Sequence, residues 1–222
     1  MSGLLPAAVL FDMDGLLVDT EQVWFEVESG LVTELGGTWG PEDALALVGG
    51  PLERTLEHIV GSVPGPVSHD EVRVRLLGGM VTRLRQGPVH WMPGAHRLLE
   101  ETSAAGVPRA LVSSSLRVVV DGVLDTIGRE HLQVTVSGDD VQRTKPHPDP
   151  YLLAARTLGV DPASCVALED SATGATSARA AGCYTVAVPS LAAVPVGIAH
   201  HQVASLEELD LAALAALVGA RT

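Results

Sequence analysis

At 222 residues the chain has room for one large domain, or for one domain carrying a smaller inserted one. Its 27 acidic residues against 14 basic ones give a formal net charge of −13, and such a surface repels nucleic acid and anionic lipid, so neither is expected as a partner. Hydrophobic residues make up 46% and aromatics only 3%, which predicts a core of Leu, Val and Ala rather than of rings.

The apolar N-terminus, residues 4–11, lacks a basic start and ends at Asp12, so it does not read as a signal peptide, and within it residues 8–11 read as a buried strand. The chain then turns helical. Residues 21–35, 42–47, 52–60 and 70–84 carry amphipathic helical spacing, and a turn-rich stretch, 61–68, separates the third from the fourth. No strand interrupts this interval, so a helical cap domain over 16–90 is expected to sit as an insertion in a core formed by 1–15 and 91–222. Its two ends return near Asp14 and Pro93, the arrangement of a lid over a site at strand ends.

Beyond the Pro93–Gly94 turn the pattern alternates. A helix over 96–105 leads to a strand over 109–113, and a helix over 118–127 to a strand over 132–136. A helix over 151–158 stops at Gly159 before a strand over 165–168, and a helix over 171–181 stops at Gly182 before a strand over 184–188. Residues 211–218 form an Ala/Leu-rich stretch. Strand, helix, strand repeated in this way predicts an α/β fold, a doubly wound, Rossmann-like parallel sheet. Cys165 and Cys183 lie in two of these runs without CxxC spacing and read as buried, reduced thiols. With no apolar run of membrane-spanning length, the expectation is a soluble cytoplasmic monomer.

In an open α/β sheet, ligands bind beyond the carboxyl ends of the strands. The segments just past the strands here are Asp12-Met13-Asp14-Gly15, then Ser113-Ser114-Ser115, then, in a loop, Thr144-Lys145-Pro146, and finally Glu169-Asp170-Ser171. Each motif alone is weak. Glu169-Asp170-Ser171 also reads as a helix N-cap with acidic residues at the positive dipole end. An EF-hand at Asp12 fails, because Leu16, Leu17 and Val18 stand where further oxygen ligands would be needed. Gathered on one rim, four carboxylates repel unless a cation neutralises them, and hard oxygen donors suit Mg²⁺. Lys145 is the only lysine, against 13 arginines, and its proline-stiffened loop points to a phosphate contact by a compact point charge.

The motifs LFDMDGLLVDTE, ALVSSS, TKPHPDPYLLAA and VALEDSATGATSARAAG resemble, in order and spacing, the four motifs of the haloacid dehalogenase superfamily. Within it the chain is similar to the phosphatases and mutases related to beta-phosphoglucomutase, with a helical cap after the first strand. The resemblance implies Asp12 as nucleophile, forming an aspartyl phosphate, and Asp14 as general acid and then general base. Dehalogenating members attack carbon and do without the second Asp, so Asp14 favours phosphate esters. Ser113 and Lys145 would hold the phosphoryl oxygens. Mg²⁺ would be bound by the Asp12 carboxylate, the Asp14 backbone carbonyl and Asp170, with Glu169 a further ligand or an outer support.

Asp19, Thr20 and Glu21 match the start of the cap, and 16–19 and 90–93 would be its hinges. Candidates for substrate contact are Ser114, Trp24 with Phe25, and the Gly49-Gly50-Pro51 turn; for Trp24 a place in the cap core is the competing reading. The histidines form no ligand set, and His147, His200 and His201 read as exposed loop residues. The expected substrate is a small phosphorylated metabolite, a sugar phosphate first. Two other readings stay open. One is a sugar phosphomutase; but such enzymes carry a cap His where Trp24 stands and a cap Arg where Leu52 stands, counted from Gly49, although Glu53 and Arg54 follow and a shift in alignment would supply a cation there. The other is a receiver-type phosphoacceptor switch, against which the order of the motifs and the inserted lid both count.

Overall fold

A computed structural model describes residues 5–47, 50–87 and 89–219. The core is a parallel sheet in the order β5-β4-β1-β6-β7-β8, formed by β1 (Ala8–Phe11), β4 (Arg109–Val112), β5 (Val134–Val136), β6 (Cys165–Glu169), β7 (Tyr184–Ala187) and β8 (His201–Gln202). β1 lies in the middle. From it the chain winds outward on one side through β4 and β5, then crosses back to β6 and winds outward again.

Both faces of this sheet are covered, which is why its strands read as unbroken apolar runs. On one face Val9, Phe11, Leu111, Val166 and Leu168 pack with α5 (Ala95–Ala104), α6 (Arg117–Ile127) and α9 (Leu211–Gly219). On the other, Ala8, Leu10, Ala110, Val112 and Ala167 pack with α7 (Asp149–Leu158) and α8 (Ala172–Ala180). The alternation along β1 therefore divides two cores rather than core from solvent.

Between β1 and α5 stand α1 (Glu21–Glu34), α2 (Pro41–Leu47), α3 (Leu52–Ser62) and α4 (His69–Gln86). They bury Leu31, Val32, Leu56, Ile59, Val72 and Leu76 among themselves. This layer also leans on the sheet domain: Val23, Met80 and Leu84 join the main core, and a Cβ on Gly122 of α6 would lie 2.9 Å from Leu84 Cδ1.

The ends of the helical segment are joined by a feature the sequence pattern does not announce. β2 (Val18–Asp19) pairs antiparallel with β3 (His90–Trp91), Val18 opposite Trp91. The Met92 N–H also donates to the Leu17 carbonyl at 2.9 Å. Strand ends elsewhere shift by a residue or two from expectation: β4 stops at Val112, β5 starts at Val134, and β8 is an added edge strand. His201 belongs to it, and His200 accepts a hydrogen bond at Nδ1 from the Thr185 N–H at 3.0 Å. These histidines are tied to the sheet edge rather than lying in a free loop. No described helix is long and apolar enough to cross a membrane.

Candidate active site

The register of the sheet sets the site. Phe11 pairs with Leu111 on one side and Leu168 on the other, so the next residue, Asp12, emerges between the ends of β4 and β6. Its N–H donates to the Leu168 carbonyl at 3.0 Å, which fixes the backbone while the side chain turns to the rim. Gly15, at φ +77, then closes a tight loop, its N–H donating to the Val18 carbonyl at 2.9 Å.

Lys145 ties this rim together. Its Nζ donates to Asp12 Oδ1, to the Val112 carbonyl at 2.8 Å and to Glu169 Oε1 at 2.6 Å. Glu169 is fully buried at 0% exposure, Lys145 is 8% exposed and Asp12 5%. The buried Tyr151, on the first turn of α7, donates its hydroxyl to the same Glu169 oxygen. Burial pushes the Asp12 carboxyl well above its usual range; Lys145 opposes the shift, and Glu169, Asp170 and Asp14 add to it. Burial pulls the Lys145 ammonium down, but Asp12 and Glu169 outweigh it and hold it above its ordinary value, so it stays charged.

Asp14 faces Asp12 from a different environment. Its Oδ1 accepts from the Thr20 hydroxyl at 2.5 Å, and its Oδ2 accepts from the Ser113 hydroxyl at 3.0 Å and the Ser115 hydroxyl at 2.9 Å. Ser113 Oγ in turn accepts from the Ser115 N–H at 2.9 Å. Three hydroxyl donors thus fix the direction of this carboxyl group. Glu21, at the start of α1, lies close enough to this ring of acids that burial first, then Asp14, Asp170 and Asp19, push it up to about 7.

Asp170 accepts at Oδ2 from the Ser190 hydroxyl at 2.6 Å. Burial, then Glu169, push its carboxyl up to about 7, with the Ser190 hydrogen bond opposing. Ser171 is the N-cap of α8, its Oγ accepting from the Gly174 N–H at 3.1 Å. The tripeptide thus caps a helix with its third residue and faces the rim with its first two.

The donor set fits a hard divalent cation. Asp12, Glu169 and Asp170 each offer an oxygen within 4.8 Å of the others. Asp14 and Glu21 crowd the same rim, and Lys145 supplies one positive charge. Carboxylates drawn together in this way repel one another, and a metal bound through oxygen relieves that repulsion.

The remaining expected contacts are placed differently. Ser114 is exposed beside this rim, between Ser113 and Ser115. Trp24 is half-buried and packs against both the main core and the core of the helical layer. Gly50 is exposed ahead of α3, its N–H donating to the Leu47 carbonyl at 2.9 Å; Gly49 lies outside the described residues. Sequence reasoning did not find Tyr151, Ser190 or the hydroxyl roles of Thr20 and Ser115. Ser190 lies just past the end of the fifth apolar run, so extending the search from the first four strand ends to that one reaches it directly.

A family model described as haloacid dehalogenase-like hydrolase matches residues 9–188. The chain is 34% identical over 194 residues to hexitol phosphatase A of Escherichia coli, covering 84% of each protein. It is 32% identical over 192 residues to the bifunctional riboflavin kinase/FMN phosphatase of Arabidopsis thaliana, covering 84% of this chain but only 49% of that protein, about half its length. The solved structure of CbbY from Rhodobacter sphaeroides in complex with phosphate superposes with a TM-score of 0.84 at 29% identity, covering 95% of this chain and 99% of that one.

Proposed function

The chain belongs to the haloacid dehalogenase-like hydrolases, and we propose that it is a Mg²⁺-dependent phosphatase of small sugar phosphates that works through an aspartyl phosphate on Asp12. The observation that carries the reading is the buried contact of Lys145 with Asp12 and Glu169, with Asp170 on the same rim and Asp14 held apart on hydroxyls. That arrangement gives two carboxylates at one site two environments and so two roles. The hexitol phosphatase likeness supports a phosphorylated sugar or polyol as substrate.

An Asp12 carboxylate oxygen attacks phosphorus, and the bond from phosphorus to the ester oxygen breaks. Asp14 delivers its proton to the leaving alkoxide. In the second half-reaction Asp14 takes a proton from water as the water oxygen attacks the same phosphorus, releasing phosphate and restoring the Asp12 carboxylate. Lys145 balances the phosphoryl charge from where it already touches Asp12. Ser113, which donates to Asp14 in the free protein, can turn the same hydroxyl to a phosphoryl oxygen. Asp12, Asp170 and the Asp14 carbonyl would hold Mg²⁺, with Glu169 beside them; the ion supplies electrostatic stabilisation of the phosphoryl oxygens. The helical layer of α1–α4 serves as the cap, joined to the core through the β2–β3 ribbon.

Hydrolysis is favoured over phosphoryl transfer between two positions of a sugar. Leu52, where the sugar mutases carry the cap Arg, packs against the core of the helical layer and offers no charge to a second phosphate; Arg54, two residues on, is exposed on α3 and is the cation that an alignment shift would bring to that place. Trp24 cannot exchange protons. The deciding measurement is phosphorus NMR of the enzyme with Mg²⁺ and a panel of hexose and hexitol phosphates. Inorganic phosphate should rise. Conversion of a hexose 1-phosphate to the 6-phosphate, dependent on a bisphosphate primer and without free phosphate, would overturn the reading.

A further inference from the structure

The loop after β7 reaches back into the rim at one point, Ser190. Its hydroxyl donates to Asp170 Oδ2 at 2.6 Å, while among the described residues Asp170 Oδ1 accepts no hydrogen bond. The same Oδ2 is walled in by backbone. A Cβ built on Gly15 would lie 2.4 Å from Asp170 Oδ2 and 2.7 Å from Ser190 Oγ, so the turn after Asp14 closes over the pair and only glycine permits it. The end of β7 is itself locked to β6, the Val188 N–H donating to the Glu169 carbonyl at 2.7 Å. Ser190 therefore sits in that loop only two residues past an anchored backbone position.

We propose that Ser190 is a positioning residue that restricts Asp170 to one-oxygen donation toward the cation, and that it thereby sets both the affinity of the site for Mg²⁺ and its preference over Ca²⁺. The inference rests on the reading that Asp170 is a metal ligand. Mg²⁺ demands near-ideal octahedral geometry with single oxygens at short distance, whereas Ca²⁺ accepts more ligands and takes carboxylates in the two-oxygen mode. A carboxylate with one oxygen engaged by a hydroxyl and covered by Gly15 meets the first demand and refuses the second. The hydrogen bond also fixes the carboxylate rotamer, and partners of metal ligands commonly change metal affinity by about 10- to 100-fold when lost.

The test is isothermal titration calorimetry of the metal-stripped full chain with MgCl₂ and, separately, CaCl₂, for wild type, Ser190→Ala, Ser190→Cys, Ser190→Thr and Asp170→Asn. Circular dichroism melting confirms that each variant is folded. Removing the donor, as Ala or as the poorly donating Cys, should weaken Mg²⁺ by about 10- to 100-fold and weaken Ca²⁺ less, so that the Mg²⁺/Ca²⁺ ratio falls. Thr, which keeps the hydroxyl, should stay near wild type. Unchanged affinities in Ala and Cys, with binding lost in Asp170→Asn, would overturn the proposal and leave the ligand reading standing. Full Mg²⁺ binding by Asp170→Asn would overturn the ligand reading and the proposal with it. Equal weakening of both ions would overturn the selectivity claim, and a loss in Thr as large as in Ala would assign the effect to packing.

Discussion

The Tyr151 hydroxyl donates to Glu169 Oε1, the oxygen that also accepts Lys145 Nζ at 2.6 Å. Glu169 is thereby aimed from behind by a neutral donor and held from in front by a cation. The tyrosine cannot act as an acid there, because burial first, then Glu169 and Asp12, push its hydroxyl well above its usual range. It acts as a prop.

Removing that prop by Tyr151→Phe should leave a buried carboxylate short of a donor. Hydrogen bonds to charged groups are worth roughly 1.5–3 kcal/mol, so Tm should fall by several degrees. Because Glu169 anchors Lys145, kcat/KM should also drop about tenfold, equivalent to ~1.4 kcal/mol. Thermal melts and steady-state assays of the one variant read both effects. Wild-type activity together with a lowered Tm would show that the prop serves the fold alone.

Lys145→Arg should not be conservative, although every other basic residue in the chain is Arg. The ammonium converges on Asp12, Glu169 and the Val112 carbonyl from one point, and Lys145 is 8% exposed. A planar fork cannot satisfy three acceptors arranged around a point, and a bulkier group at a buried position forces its neighbours to shift. The expected loss is at least tenfold in kcat/KM, or ~1.4 kcal/mol of transition-state binding. A fully active arginine variant would move the phosphate contact to another residue.

Asp14→Asn should slow turnover by roughly 10²–10⁴-fold, the range for a positioned acid or base. With an activated leaving group that needs no proton, the first half-reaction suffers less than the second, so phosphoenzyme should accumulate. Rapid quenching and then intact-protein mass spectrometry look for the added phosphate. Equal loss with activated and unactivated esters, and no adduct, would remove Asp14 from both steps.

Whether a feature is legible in the sequence depends on how local its cause is. Buried parallel strands leave continuous apolar runs, so the sheet and the residues at its ends, Asp12, Ser113 and Glu169, are visible in the sequence. β2, β3 and β8 are two residues each, too short for any period, and they exist because distant residues such as Val18 and Trp91 meet. The donors Thr20, Ser115, Tyr151 and Ser190 carry no mark of their own; a hydroxyl becomes a positioning group only when folding aims it at a carboxylate. Gly174 is a like case. A Cβ there would lie 1.9 Å from Glu169 Oε2, a constraint that α8 imposes and that no local pattern reveals.

A pH test separates the helical layer from the catalytic rim. Glu28, on α1, is 4% exposed within that layer. Burial first, and Glu21 next, push its carboxyl up to about 8. An acid whose folded pKa is raised holds its proton in the native state, so the folded form binds more protons than the unfolded chain between the two values. Its stabilising effect is fully present below the unfolded value of 4.5 and is lost as pH rises toward about 8. At higher pH the protein must either keep the proton at a cost or bury a charge. Glu28→Gln keeps the shape and removes the titration. The variant should therefore melt higher than wild type at alkaline pH, by several degrees for an effect on the order of a few kcal/mol, and should gain little near pH 5. The measurement is Tm against pH for both proteins by circular dichroism. A difference in Tm that does not change with pH would show that Glu28 titrates as it does in the unfolded chain.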